Sequence, residues 1–291
     1  MTDALFSSNE TMVRALAQEI GPVRVVDVGA TEYAGGKRPP YSALAMLESC
    51  TVIAFDPEQG GEELGAHHGS RVTLPYAIGD GRVHVLHSCQ APMTSSLLEP
   101  NAEFLARFEN LGELCHVVGR SQLDTVTLDS VPEAMGAEFL KVDVQGATLL
   151  VLGDAIRTLS SVLVVHTEVE FAQIYRGQPQ FGDIAGFLFA QGFELHHFRD
   201  FGSFRELEVT RRFAFGESTS RHLWADAVFV PTEERLIGLD DRQLLLLAAI
   251  MNDCYGAHDM AHACLSRIDL RSGSRLAEAY RLAALRREVK E

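Results

Sequence analysis

The chain has 291 residues, of which 46% are hydrophobic, so it can bury at least one large core. Its 25 Lys and Arg against 40 Asp and Glu give a net charge of −15, which repels phosphate backbones and argues against a nucleic acid as partner. The five cysteines are scattered without a CxxC pair, which argues against a disulfide framework or a zinc site and favours reduced thiols in a cytoplasm.

Apolar runs alternate with helical patterns along the first 234 residues. Short runs rich in Val and Ile predict strands at 23–28, 51–56, 72–78, 138–144 and 161–169. Helical patterns cover 41–49 and 147–159, and in the second of these the apolar residues recur at helical spacing and should face a sheet: Leu149, Leu152, Ile156 and Leu159. A hairpin-like pair is predicted at 193–198 and 223–230. This alternation predicts an α/β fold with a mostly parallel sheet and helices on both faces.

The pattern changes to continuous helix from about residue 235, and Gly256 divides the first long stretch. We therefore predict two parts, an α/β domain over 1–234 and a helical C-terminal extension over 235–291. The stretch LLLLAAIMNDC is too apolar to stand in water alone. It must pack on the domain as a brace or on another subunit, which leaves a homo-oligomer open. No apolar run approaches the roughly 18 residues of a membrane helix, and the N-terminus lacks the pattern of a secretory signal.

Polar residues and a glycine close the first two predicted strands. Ligands of open α/β sheets bind at the carboxyl ends of the strands. The first strand ends in Asp27, Val28, Gly29 and Ala30, where the glycine would let the backbone approach a ligand. The second ends in Asp56, which could accept both hydroxyls of a ribose, as in dinucleotide sites. The alternative is that Asp27 caps a turn and Asp56 begins a loop. The absence of GxGxxG counts against a nicotinamide-dependent oxidoreductase.

The fourth predicted strand ends in Asp143, directly before a helix. A carboxylate there could take the proton of a reacting hydroxyl or could cap the helix. His166 and Glu168 lie two residues apart on the fifth strand and therefore share a face. They could form a base, a metal site, or a buried histidine beside a structural ion pair. Since no Asp-Asn pair follows, we expect no metal.

Further candidates lie in turns and loops. Asp80 and Ser95 could flank a cofactor, although Asp80 precedes Gly81 as in an ordinary turn and Ser95 could cap a helix. Tyr175, Arg176 and Gln178 follow the fifth strand, on a loop of the kind that often determines substrate specificity. They could equally belong to an ordinary solvated loop.

Several ordered motifs together resemble the FkbM-type methyltransferases. The resemblance covers roughly residues 22–232 and rests on FLKVDVQGATLLVLGDA at 139–155, TLDS at 127–130, HTEV at 166–169, YRGQ at 175–178 and WADAVF at 224–229. It implies a class I fold that binds S-adenosyl-L-methionine and the O-methylation of a hydroxyl on a sugar, natural-product-like small molecule or glycan. The remaining alternative is a non-catalytic binding module.

The resemblance orders the candidates by role. Expected catalytic residues are Asp143, His166 and Glu168. Expected cofactor-binding residues are Asp27, Gly29, Ala30, Asp56, Asp80 and Ser95. Expected acceptor-binding residues are Tyr175, Arg176 and Gln178. Two departures stand out: Thr148 replaces the Glu that the family usually carries, and Thr31-Glu32-Tyr33 replaces its Asn-x-Gly.

Overall fold

The computed structural model describes residues 11–30, 38–57, 68–207 and 221–288. The strands are β1 (Val23–Val28), β2 (Cys50–Phe55), β3 (Ser70–Leu74), β4 (Ala77–Ile78), β5 (Val83–Cys89), β6 (Val117–Val126), β7 (Phe139–Val142), β8 (Val164–Glu170), β9 (Phe193–Gly202) and β10 (Trp224–Pro231). The α-helices are α1 (Met12–Ala15), α2 (Ala17–Ile20), α3 (Ser42–Ala45), α4 (Ala102–Leu105), α5 (Leu111–Leu114), α6 (Thr148–Leu152), α7 (Ile156–Leu159), α8 (Phe181–Ala190), α9 (Glu233–Gly238), α10 (Asp241–Tyr255), α11 (His258–Ser272) and α12 (Leu276–Glu288).

Within these ranges, seven strands form the main sheet in the order β3-β2-β1-β7-β8-β10-β9. Neighbours among β3, β2, β1, β7 and β8 pair in parallel. β10 runs antiparallel to both β8 and β9. The chain moves outward from β1 to β3 and then returns to place β7 on the other side of β1. This reversal of strand order is where open α/β sheets bind ligands. The class I methyltransferase architecture and the antiparallel β9-β10 pair expected from the sequence are confirmed.

Apolar cores cover both faces of the main sheet, as the near-continuous Val and Ile runs of its strands require. One core joins Val26, Leu140 and Val165 to Leu152 of α6 and Leu188 of α8. The other face packs against the C-terminal helices. Because both faces are covered, the polar residues at the strand ends lie at one open edge.

The strand expected at 72–78 is wrong as a single element. β3 ends at Leu74, and the chain resumes as β4 in a second sheet, ordered β4-β6-β5 in the described part of the chain. Pro75 separates them, and a proline has no N–H to continue a strand ladder. β5 and β6 were not predicted, because both alternate exposed and half-buried positions and carry many polar residues.

The predicted helix over 147–159 forms two short helices, α6 and α7, instead of one. Leu152 and Leu159 are buried as expected, but 44% of Ile156 is exposed, so its expected contact with the sheet is wrong. A new helix begins at Ile156, and Asp129 accepts the backbone N–H groups of Arg157 and Thr158 at 2.8 Å. These bonds satisfy the first amides of a new helix that begins at Ile156, where the side chain is turned outward.

The C-terminal extension packs onto the main sheet through α10. Leu244, Leu247 and Ile250 of α10 lie in the same buried core as Val25 of β1 and Phe139 of β7. The extension therefore forms a brace, as one of the two expectations had it. No helix among the described residues is long and apolar enough to cross a membrane.

The end of α10 is fixed by backbone hydrogen bonds. Gly256 adopts a φ of +65°, and its N–H donates to the carbonyl of Asn252 at 3.0 Å. The N–H of Ala257 donates to the carbonyl of Met251 at 2.8 Å. The first of these bonds is the one that defines the αL C-cap motif, in which glycine is preferred at the left-handed position. The break expected at Gly256 is confirmed.

Candidate active site

A pocket of about 450 Å³ lies at the carboxyl ends of β1, β2 and β7. Gly29 and the polar residues Asp56, Ser95, Ser96, Asp143 and Gln145 are among the residues that line it. Its apolar lining includes Phe55 of the main sheet and Ile78, Leu86 and Leu123 of the three-stranded sheet. The three-stranded sheet thus forms one wall of the pocket, and the volume falls within the range of roughly 300–1,000 Å³ typical of small-molecule and cofactor sites.

Gly29 follows β1 and packs directly against the backbone of Asp143, which follows β7. Its φ is +77°, and a Cβ at this position would lie 1.9 Å from the carbonyl oxygen of Asp143. The N–H of Asp143 donates to the carbonyl of Val28 at 3.0 Å. The glycine is therefore required to hold the first strand end against the loop that carries Asp143.

Asp27 is buried beneath the pocket in an ion pair that the sequence did not reveal. Its carboxylate lies 3.0 Å from the Lys141 ammonium and accepts the Tyr41 hydroxyl at 2.5 Å. Burial by itself would lower the pKa of Lys141, but the carboxylates of Asp27 and Asp143 raise it above its usual value. Asp27 does not line the pocket. The signal for Lys141 was its spacing, two residues before Asp143 on the same strand face.

Asp143 lies at the pocket edge and can be reached from it. Its side chain is 39% exposed and accepts a hydrogen bond from the Gln145 amide at 2.9 Å. The Lys141 ammonium lies 3.9 Å from its other oxygen. Asp143 is the one expected catalytic residue that lines this pocket.

The turn after Asp143 is stabilised by hydrogen bonds from Ser96 and Tyr175. Gln145 has a φ of +50°, and its carbonyl accepts the Ser96 hydroxyl at 2.6 Å. The buried Tyr175 hydroxyl lies 3.0 Å from the carbonyl of Thr94 and 3.3 Å from the Gln145 side-chain oxygen. The Tyr175 backbone in turn donates to Gln178 at 2.6 Å. Tyr175 and Gln178 therefore support the turn and do not line the pocket.

Arg176 lies on the surface, where its guanidinium is 3.9 Å from the carboxylate of Glu99. Of the remaining expected cofactor residues, Ser95 lines the pocket and accepts the N–H of Cys89 at 3.0 Å. Ala30 is buried beside the pocket, and its N–H donates to the carbonyl of Phe55 at 3.2 Å.

Asp80 lies outside the pocket lining and stabilises a turn. Its carboxylate lies 2.7 Å from His84 and accepts the N–H of Arg82 at 3.1 Å. The hydrogen bond with His84 is the main reason why the pKa of Asp80 is lowered.

Neither His166 nor Glu168 lines the pocket, and His166 faces Tyr255 of the C-terminal helices. His166 is 6% exposed, with Nδ1 3.1 Å from the Tyr255 hydroxyl and Nε2 3.6 Å from the Asp226 carboxylate. Glu168 is the register partner of Asp226 across β8 and β10. The pKa of Glu168 is raised well above its usual value, first by burial and then by the charges of Asp143, Glu170 and Asp226.

Glu170 lies two residues further along β8 and is 1% exposed. Glu168, Glu170 and Asp226 together are called the acidic row below. Burial, followed by the charge of Asp143, raises the pKa of Glu170 to about 8. Nearby amides of Gly146 and of Glu170 itself offset part of this rise, but neither carboxyl oxygen has a hydrogen-bond partner of ordinary geometry in the described structure. Neither Asp226 nor Glu170 was predicted as a site residue, although each is a charged residue between apolar neighbours in a buried strand.

The two departures from the family pattern have different outcomes. Thr148 is buried, and its hydroxyl donates weakly to the carbonyl of Glu168 at 3.4 Å. Residues 31–33 lie outside the described residues. Within the described ranges, no group of three or more His, Cys, Asp or Glu side chains is arranged to hold a metal ion.

The sheet and the pocket at its switch point define a class I methyltransferase. Residues 27–195 match the methyltransferase FkbM domain, and the chain belongs to this family of S-adenosylmethionine-dependent enzymes. No curated protein sequence matches the chain. A search of solved structures found a mutant of the 16S rRNA (adenine(1408)-N(1))-methyltransferase from Catenulisporales acidiphilia, with 14% identity over 80% of this chain and 94% of that chain. The TM-score of 0.29 is too low to support any argument about function.

Proposed function

We propose that the pocket binds S-adenosyl-L-methionine and that the enzyme transfers its methyl group to a hydroxyl of a sugar, a natural-product-like small molecule or a glycan. The observation that carries this proposal is one continuous pocket that joins Asp56 at the end of β2 to Asp143 at the end of β7. Asp56 can accept the hydroxyls of a ribose, and Asp143 can accept the proton of a reacting hydroxyl.

The lining fits the parts of the cofactor. Asp56 is 4% exposed, so a ribose hydroxyl that donates to it would form a charge-assisted hydrogen bond shielded from water. Gly29 leaves its backbone open to close approach, and Ile78, Leu86 and Leu123 offer an apolar wall to a base. When bound, the cofactor supplies a methyl group that is activated by a positively charged sulfur.

The protein must position the acceptor oxygen and remove its proton. A hydroxyl, like water, is a very weak acid that keeps its proton at neutral pH, so it needs a base during transfer. Asp143 is accessible from the pocket, whereas His166 does not line it and points its Nδ1 at the Tyr255 hydroxyl, 3.1 Å away. We therefore assign the base to Asp143, with His166 and Glu168 supporting the acidic row behind it.

The cofactor assignment is tested by titration with S-adenosylhomocysteine. Asp56→Asn should weaken binding by about tenfold to hundredfold, the range for lost hydrogen bonds to a charged group. Asp80→Asn is the matched control, since Asp80 is also an acid after a strand but lies outside the pocket. Equal affinity of a folded Asp56→Asn protein, or tight binding of a nicotinamide dinucleotide by the wild type, contradicts the assignment.

The reaction is tested with S-adenosylmethionine that carries a labelled methyl group and a panel of sugars, polyhydroxylated small molecules, glycans and RNA oligonucleotides. With an acceptor that is turned over, Asp143→Asn should reduce kcat by about 100-fold or more, because it removes the basicity and keeps the shape. Cofactor affinity should change little. Methylation of RNA alone would overturn the proposed acceptor class, and a fully active Asp143→Asn enzyme would remove Asp143 from the chemistry.

A further inference from the structure

The last residue of α10, Tyr255, lies against the face of the main sheet that carries Phe139 and His166. Its ring stacks on Phe139 with a centroid distance of 6.4 Å and an interplanar angle of 5°. The Arg199 guanidinium lies 5.7 Å from the ring centroid, and the same side chain donates to the carbonyl of Cys254 at 3.2 Å. With the glycine at position 256 ending the helix directly afterwards, these contacts hold the Tyr255 hydroxyl in one place.

The hydroxyl determines which nitrogen of His166 carries the proton. Burial raises the pKa of Tyr255 well above its usual value, so the phenol keeps its proton and can donate it. The oxygen lies 3.1 Å from Nδ1 of His166. A neutral imidazole that accepts at Nδ1 carries its proton on Nε2. That nitrogen faces Asp226 at 3.6 Å.

We infer that Tyr255 is a positioning residue of the methyltransferase site and that the C-terminal extension therefore completes this site. Tyr255 fixes the Nε2–H form of His166, and His166 in turn directs its N–H at the Asp226 carboxylate. The inference rests on the proposed function, since it concerns the same acidic row beside Asp143.

The strand registers connect His166 and Asp226 to Asp143 at the edge of the pocket. His166 is the partner of Lys141 across β8 and β7, and Asp226 is the partner of Glu168 across β10 and β8. The Lys141 ammonium lies 3.9 Å from Asp143. If His166 carried its proton on Nδ1, the partial positive charge of the N–H would no longer point toward the Asp226 carboxylate, 3.6 Å away, and the electrostatic balance around Lys141 would change.

The first test measures the tautomer of His166 by nitrogen NMR on protein labelled with ¹⁵N-histidine, with the signal assigned by its loss in His166→Gln. In the wild type, the Nε2–H form should dominate. Tyr255→Phe keeps the stacking ring and removes only the hydroxyl, so the preference should fall by about threefold to tenfold. A dominant Nδ1–H form in the wild type, or an unchanged preference in Tyr255→Phe, overturns the inference.

The matched control is Tyr280→Phe. Tyr280 also belongs to the C-terminal extension, and its hydroxyl lies 3.0 Å from Nδ1 of His258 and donates to Asn252 at 2.6 Å. Its loss should leave the His166 signal unchanged. A change of equal size in this control would show a general effect of loosening the extension and would overturn the specific role of Tyr255.

The second test separates this inference from the proposed function. With an acceptor that is turned over, Tyr255→Phe should reduce kcat by about threefold to tenfold, while the affinity for S-adenosylhomocysteine and the acceptor KM stay unchanged. An unchanged kcat overturns the inference. If the wild type does not bind S-adenosylhomocysteine, the proposed function fails, whereas the NMR result still decides whether Tyr255 orders His166.

Discussion

Replacing Gly29 with alanine should strongly destabilise the protein, because two separate costs meet at this residue. An alanine at a φ of +77° costs about 1–2 kcal/mol of backbone strain. Its Cβ would also lie 1.9 Å from the carbonyl oxygen of Asp143, which is backbone and cannot rotate away. The ends of β1 and β7 must therefore move apart.

The separation has a cost that can be worked from the contacts. Overpacking of this kind costs about 1–3 kcal/mol. The hydrogen bond from the Asp143 N–H to the Val28 carbonyl would be lost, at about 1 kcal/mol. Together with the strain, we expect a loss of about 3–6 kcal/mol in the free energy of unfolding, a large share of the 5–15 kcal/mol typical of a folded protein.

Urea unfolding of the wild type, Gly29→Ala and Gly273→Ala measures this loss. Gly273 has a φ of +72° with nothing within 4 Å of an added Cβ, so its replacement shows the strain alone, about 1–2 kcal/mol. The affinity for S-adenosylhomocysteine should fall in Gly29→Ala only, since Gly29 lines the pocket. Equal destabilisation by both replacements would refute the reasoning from the close contact with Asp143.

Two further predictions concern the acidic row and the extension. The pKa of Glu170 rises from an ordinary 4.5 to about 8, so the folded protein holds a proton that the unfolded chain has released between these values. The free energy of unfolding should therefore fall as the pH rises from about 4.5 to about 8. Glu170→Gln should reduce this fall by at least about 1 kcal/mol, measured by urea unfolding at pH 5 and pH 8. An equally steep fall in the variant would contradict the prediction. A chain ending at residue 240 lacks α10–α12 and exposes the core around Val25 and Phe139, so it should aggregate; a soluble truncated protein with an unchanged melting temperature would show that the extension is dispensable.

The sequence by itself indicated where the buried strands β1, β2 and β7 end. Short Val and Ile runs produce buried strands because their side chains fit both faces of a covered sheet. A glycine or an acid directly after such a run marks the edge where ligands bind, which is how Gly29, Asp56 and Asp143 were found. These features depend on neighbours within a few residues, so local patterns could show them.

Tertiary structure alone decided which of the polar residues face the pocket. Asp27 pairs with Lys141, 114 residues away, and His166 contacts Tyr255, 89 residues away. The pocket wall built by β4–β6 and the outward turn of Ile156 likewise depend on how separate elements pack. Strand register and helix docking set these distances, and neither is encoded in the spacing of residues along one segment.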